Sequence, residues 1–200
     1  DGVDLEVGGT VEDQGDAFGD LGTLLILIVI LVYIVMATQF ESLKFPFIIM
    51  FTIPFAFTGV FLALWMTSTP LSLIALIGAI MLVGIVTKNG IVMVDYMNLL
   101  IERGSGVFDA VIAGGKSRLR PVLMTSFTTI LGMLPLAIGT GAGSETWQPM
   151  GIAVIGGLTF STILTLFIVP VLYSILVNRS QRKEREKLAR LSAEHQASKH

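Results

Sequence analysis

The sequence predicts an all-α membrane protein with five transmembrane helices, and three observations predict it. Hydrophobic residues make up 53% of the 200-residue chain and charged residues only 14%, against roughly 25% charged in an ordinary soluble domain. Mean hydropathy is +0.80. The charges gather in short stretches between long uncharged runs, each long enough to cross a ~30 Å hydrocarbon core. Cysteine is absent, and the two histidines, His195 and His200, sit at the far C-terminus. A disulfide scaffold is excluded and a metal centre is unsupported.

The elements follow from the uncharged runs. Between Asp20 and Glu41 there is no charge, and Leu24 to Val32 is almost purely aliphatic, which predicts a first span over residues 21–40. The run from Phe45 to Thr87 is twice what one span needs. Met66-Thr67-Ser68-Thr69-Pro70 in its middle is small, polar and closed by a helix breaker, so two spans are predicted, 45–66 and 71–98. A fourth span covers 121–140 and a fifth 147–178, parted by the glycine-rich turn Gly139 to Glu145. Acidic residues before the first apolar run, and four more spans after it, exclude a signal peptide.

Lys44, the group Arg103, Lys116, Arg118 and Arg120, and the run Arg179 to Lys199 all fall on one face of this arrangement. The opposite face, made of residues 1–20 and the turns near 67–70 and 139–146, has no Lys or Arg. The positive-inside rule makes the basic face cytoplasmic. Residues 1–20 read as the exit of an extracytoplasmic domain: Val3, Leu5 and Val7 alternate like a strand edge, Gly8-Gly9 breaks it, and Thr10 with Asp13 caps a short helix. Residues 179–200 read as a solvated basic tail, with at most a frayed helix through Glu184, Lys187 and Leu188. Topology accounts for that basicity, and no nucleic-acid partner is implied.

Twelve of the thirteen Lys and Arg residues are thereby explained, which leaves Lys88 inside the third span. At 1.5 Å per residue it lies about 10 Å deeper than Asp95. A charge at that depth costs about 2.5–3.5 kcal/mol on insertion scales and is kept mostly where it faces a bundle interior with a partner, the alternative being a lysine that snorkels to the interface. Thr87, Asn89, Gly84 and Gly90 surround it in sequence, as at a close polar helix contact. No carboxylate of this chain sits at its depth. A buried ammonium calls for an anion, so a functional Lys88 requires a carboxylate from outside the chain.

The fourth span adds hydroxyls. Thr125, Thr129 and Gly132 follow an i, i+4, i+7 stripe that Arg118 extends toward the basic side, with Ser126 and Thr128 beside it. A line of charge and hydroxyls along one helix face suits a proton path; the alternative is that each hydroxyl bonds its own helix backbone. Arg120, before Pro121, reads as a membrane-edge anchor. Gly139, Gly141 and Gly143 lack the strand-to-helix setting of a phosphate loop. The methionines, scattered over every span, read as packing residues rather than a ladder for a soft metal.

Several segments together are recognisable: Gln39-Phe40-Glu41-Ser42-Leu43, Thr87-Lys88-Asn89-Gly90 through Tyr96, Arg118-Leu119-Arg120-Pro121 through Ser126, Gly132-Met133-Leu134-Pro135-Leu136, Gly156-Gly157 and Val169-Pro170-Val171-Leu172-Tyr173. In this order they resemble the C-terminal end of a resistance–nodulation–division (RND) multidrug transporter of the hydrophobe/amphiphile efflux branch. The resemblance implies the last five helices of a twelve-helix protomer, with residues 1–20 as the end of a periplasmic porter domain, 21–178 as the membrane bundle and 179–200 as a cytoplasmic tail. It also implies a proton relay in which Lys88 takes the place of the family's lysine, Arg118 that of its arginine and Thr125 that of its threonine. Asn89, Asp95 and Thr129 stand as supporting relay or helix-contact residues. The aspartate pair that completes such a relay lies in the N-terminal half and not in this sequence.

By the same resemblance the function is proton/substrate antiport of hydrophobic and amphiphilic compounds such as drugs, with protons as coupling ion and no cofactor. The implied location is the bacterial inner membrane, N-terminus periplasmic and C-terminus cytoplasmic. The implied partners are the missing half, two further protomers in a homotrimer, a periplasmic adaptor, an outer-membrane channel and the lipid bilayer. Two rivals remain: a non-transporting interaction or sensing module of the same architecture, and a metal-ion exporter. An enzyme is disfavoured, since no nucleophile–base pair or metal-ligand cluster is present.

Overall fold

Among the described residues six helices follow one another: α1 (Gly8–Gln39), α2 (Lys44–Met50), α3 (Ile53–Met66), α4 (Leu73–Glu102), α5 (Val107–Ile138) and α6 (Ser144–Ala197). The computed structural model describes the backbone of residues 8–139, 141 and 143–197, and the side chains of 13–139, 141 and 143–179. Five helical segments are long and apolar enough to cross a membrane, with α2 and α3 counting as one. The protein is a multi-pass, all-α membrane protein.

The break between α2 and α3 has a local cause. Pro54 has no N–H to give the Met50 carbonyl, and the chain turns at Phe51-Thr52, where the Thr52 amide and hydroxyl both donate to the Ile49 carbonyl at 3.0 and 2.6 Å. At the next turn Ser68 takes a left-handed φ of 51°, and the Ser72 hydroxyl caps α4 by accepting from the Ala75 amide at 3.2 Å. Gly139, with φ of 70°, closes α5 in the left-handed conformation that glycine adopts without a Cβ penalty.

The helices outrun the predicted spans. The strand-like Val3 to Val7 lies outside the described residues, and the break expected at Gly8-Gly9 is instead the first turn of α1. Gly15, Gly19 and Gly22 lie within this helix with nothing within 4 Å of a Cβ. At the other end α6 continues through the tail that was expected to fray, as far as Ala197. From Val171 to Ala197 there is no glycine or proline, and Arg182, Glu186 and Arg190 alternate in sign at four-residue steps. Both features favour continued helix.

Burial identifies the centre of the bundle. Only 6% of the apolar segment of α1 and 11% of that of α5 are buried, against 56% for α4 and 50% for α6. Helix α6 packs on α3, α4 and α5, whereas α1 touches α4 and α2 lightly. Small residues permit this. A Cβ at Gly59 of α3 would stand 2.6 Å from the Phe160 Cβ and 2.8 Å from the Gly156 carbonyl oxygen of α6. One at Gly156 would collide with the Ala63 Cβ, and one at Gly157 with Leu82 of α4. The backbones of α3 and α6 therefore meet directly, as small residues allow between helices in lipid.

Two apolar clusters fill the bundle. Ala56, Val60, Leu64, Ala79, Leu82 and Leu158 pack toward the acidic end. Met36, Ile48, Ile49, Met93, Met97, Val169 and Tyr173 pack toward the basic end. Three methionines thus fill the core, while Met66, Met81 and Met124 are exposed. Tyr173 ties the second cluster together: its ring stacks on Phe45 of α2 at 5.6 Å, and its hydroxyl donates to Asn98 Oδ1 of α4. Both tryptophans, Trp65 and Trp147, are exposed at the acidic end, where an interfacial aromatic belt places such rings.

Gly156→Leu should destabilise the protein by about 1–3 kcal/mol through overpacking, read as a lower Tm in detergent. Gly115→Ala, where nothing stands within 4 Å of the new Cβ, should leave Tm level or slightly raised. Tyr173→Phe removes the bond to Asn98 and should cost about 1 kcal/mol, seen as a smaller drop in the same melt.

Candidate functional site

The site is built on α4. Lys88, Asp95 and Glu102, the only charged residues of this helix, recur at seven-residue steps. With Ile77, Met81, Gly84 and Leu99 they form a single exposed stripe, while Ala75, Ala79, Leu82, Val86 and Met93 point into the bundle. The whole charge of α4 lies on the face turned away from α6. Thr87, Lys88 and Asn89 share a depth but not a direction, because successive helical residues are about 100° apart. Thr87 is 2% exposed and donates back to the Val83 carbonyl, and Asn89 is 8% exposed. Lys88 alone of the three faces outward, and no ion pair or hydrogen bond to it is found among the described residues.

The loosely packed α1 leaves two cavities along that stripe. One, of about 290 Å³, has Lys88, Gly84 and Ile91 of α4 on one wall and Val32, Val35 and Met36 of α1 on the other. The second, of about 270 Å³, is lined by Gln39, Glu41, Asp95, Asn98 and Glu102 toward the basic end. Lys88 thus sits in an apolar groove, with a carboxylate-lined cavity about two turns further along.

Helix α5 runs antiparallel beside α4. A Cβ at Gly114 would stand 2.7 Å from Met97 Cγ, which fixes the register, and one turn on the Arg118 guanidinium carbon lies 4.6 Å from the centroid of the Tyr96 ring. Arg118 is half-buried, and its Nε is buried with no hydrogen-bond partner. Arg120 is exposed. Continuing the register brings Thr125 to about the depth of Lys88.

The predicted hydroxyl chain is resolved into separate bonds. The Thr125 hydroxyl donates to the Pro121 carbonyl at 2.9 Å, Thr128 to Met124 at 2.8 Å and Thr129 to Thr125 at 2.9 Å. Each hydroxyl proton is used within its own helix, leaving the oxygens as acceptors. The interhelical bond is made instead by Ser126, whose hydroxyl lies 2.8 Å from that of Thr162 in α6, both buried. The signal for it was the i, i+4 step from Val122, which continues the packed face of α5. Tyr96 stood in the sequence at the end of a recognised segment, one residue after Asp95, with no role attached to it.

The chain matches the AcrB/AcrD/AcrF family over residues 1–177. It is 38% identical over 184 residues to the swarming motility protein SwrC of Bacillus subtilis, covering 92% of this chain and 18% of that protein. It is 39% identical over 177 residues to the cobalt-zinc-cadmium resistance protein CzcA of Cupriavidus metallidurans, covering 88% and 17%. Identity to the multidrug resistance protein MdtC of Erwinia tasmaniensis is 42% over 163 residues, covering 81% and 16%. The crystal structure of a heavy metal efflux pump superposes with a TM-score of 0.75 at 32% identity, over 84% of this chain and 16% of that one. The chain therefore spans less than a fifth of the length of these relatives. With the match running over nearly all of it, the chain belongs to the AcrB/AcrD/AcrF family of RND efflux transporters.

Proposed function

We propose that this chain forms the C-terminal membrane part of a proton-driven pump that exports hydrophobic and amphiphilic compounds, drugs among them, by proton/substrate antiport. The observation that carries the reading is the outward stripe of α4. A lysine in the middle of a spanning helix, in an apolar groove and without an ion-pair partner among the described residues, is costly in a membrane, and an anion brought by another element would offset that cost. The family implies that anion as an aspartate pair on the other half of the protomer. Protonation of that pair would release Lys88, and the resulting shift of α4 would be passed on through the helices packed against it. In this reading Arg118, which stands over Tyr96 of α4, and Thr125 complete the relay, with Asp95 and Thr129 beside it and Asn89 as the helix contact.

Two of the similar proteins are metal exporters by name. Among the described residues no group of three or more His, Cys, Asp or Glu is placed to hold a metal ion, so the site offers that reading no support beyond the names. The reading places the chain in the inner membrane, basic end in the cytoplasm, working as a homotrimer with a periplasmic adaptor and an outer-membrane channel.

In the full-length transporter, Lys88→Ala should lower dye efflux at least tenfold at unchanged membrane abundance. Undiminished efflux would sink the relay and favour a non-transporting module. Cells lacking the transporter should become sensitive to lipophilic dyes and drugs; sensitivity to zinc, cobalt or cadmium alone would turn the assignment to metal export.

A further inference from the structure

We propose that Tyr96 is a positioning residue for Arg118: the face of its ring holds the guanidinium, so that the arginine's edge N–H groups stand at one fixed place beside α4. This rests on the proton-relay reading of the site and adds a residue to which that reading gives no role.

The geometry is specific. The guanidinium carbon lies 4.6 Å from the Tyr96 ring centroid, well inside the roughly 6 Å within which a cation is held by the ring's negative face. Arginine is long and flexible, and a contact must fix it before it can act at a defined point. No hydrogen bond or ion pair of Arg118 is found among the described residues, and its Nε is buried without a partner. The ring is therefore the contact that orients it. Stacking occupies the flat face of a guanidinium and leaves its in-plane donors free. Gly114 and Val122, one turn before and one turn after Arg118 on α5, are both buried, so Arg118 leaves α5 from its packed side. Tyr96 itself makes no hydrogen bond among the described residues, so the ring and not the hydroxyl does the positioning.

A purely structural role would make Tyr96 an apolar filler that leucine could replace. The ring's electrostatic face makes a different demand, and substrate-driven proton flux of the full-length transporter in liposomes separates the two. Tyr96→Phe should stay within about twofold of the parent, and Tyr96→Leu should fall about tenfold, the scale of a desolvated cation–π contact. Phenylalanines carrying one, two and three fluorines at position 96, which keep the shape but drain the ring face, should lower the rate stepwise. In an Arg118→Ala background the Leu change should cost nothing further. Equal rates for Leu and Phe, a flat fluorine series, or the same Leu loss without Arg118 would each overturn the proposal. If the Leu variant does not reach the membrane, the fluorine series decides. Lys88→Ala is measured in parallel: undiminished flux there removes the relay and the Tyr96 role with it, whereas lost flux with a flat fluorine series removes Tyr96 alone.

Discussion

Helices in a bilayer gain nothing from hiding apolar side chains against each other, because the lipid tails they would leave are equally apolar. What holds this bundle is close contact, and the closest is the seam where Gly59 of α3 meets Gly156 and Gly157 of α6 with no side chain between them. That seam seats α6 at the centre. Leu82 of α4 packs over Gly157, and Ser126 of α5 reaches Thr162, so the orientation of both neighbours is set from α6.

Once α4 is seated by its Ala75, Ala79 and Leu82 side, the direction of its other side is no longer free. Lys88, Asp95 and Glu102 must point outward together. A cation in the middle of a spanning helix, on a face that the rest of the bundle does not cover, is costly in a membrane. Helix α1 crosses that face only loosely and leaves open grooves beside Lys88 and Asp95. The opposite design operates at the basic end, where Tyr173 joins α6 to α4 through Asn98 and to α2 through Phe45. One end is clamped, while the middle of α4 carries its charge on an open face.

Much of this was readable in the sequence because burying charge in lipid is so costly. The spans, the turn at Met66 to Pro70 and the anomaly of Lys88 all follow from where charges are and are not. Helix limits were less legible: hydropathy reports the part inside the membrane, and α1, α5 and α6 continue beyond it on backbone bonds that no charge interrupts. The hydroxyls of α5 were open to two readings for a related reason. Thr125, Thr128 and Thr129 have the spacing of a chain, and each also donates to its own helix backbone, a detail that spacing does not contain.

The sequence by itself determined that the protein is a helical membrane bundle, which way its charges divide, and that Lys88 stands inside a span with no carboxylate at its depth. Those are one-dimensional facts, fixed by the energy of each segment in lipid or water. Only the tertiary structure decided that Arg118 and not Arg120 lies on α4, that Tyr96 is the ring beneath it, and that Lys88 is exposed while Asn89 is buried. These depend on the rotation and register of helices packed in contact, which adjacent side-chain shapes set and no single segment contains.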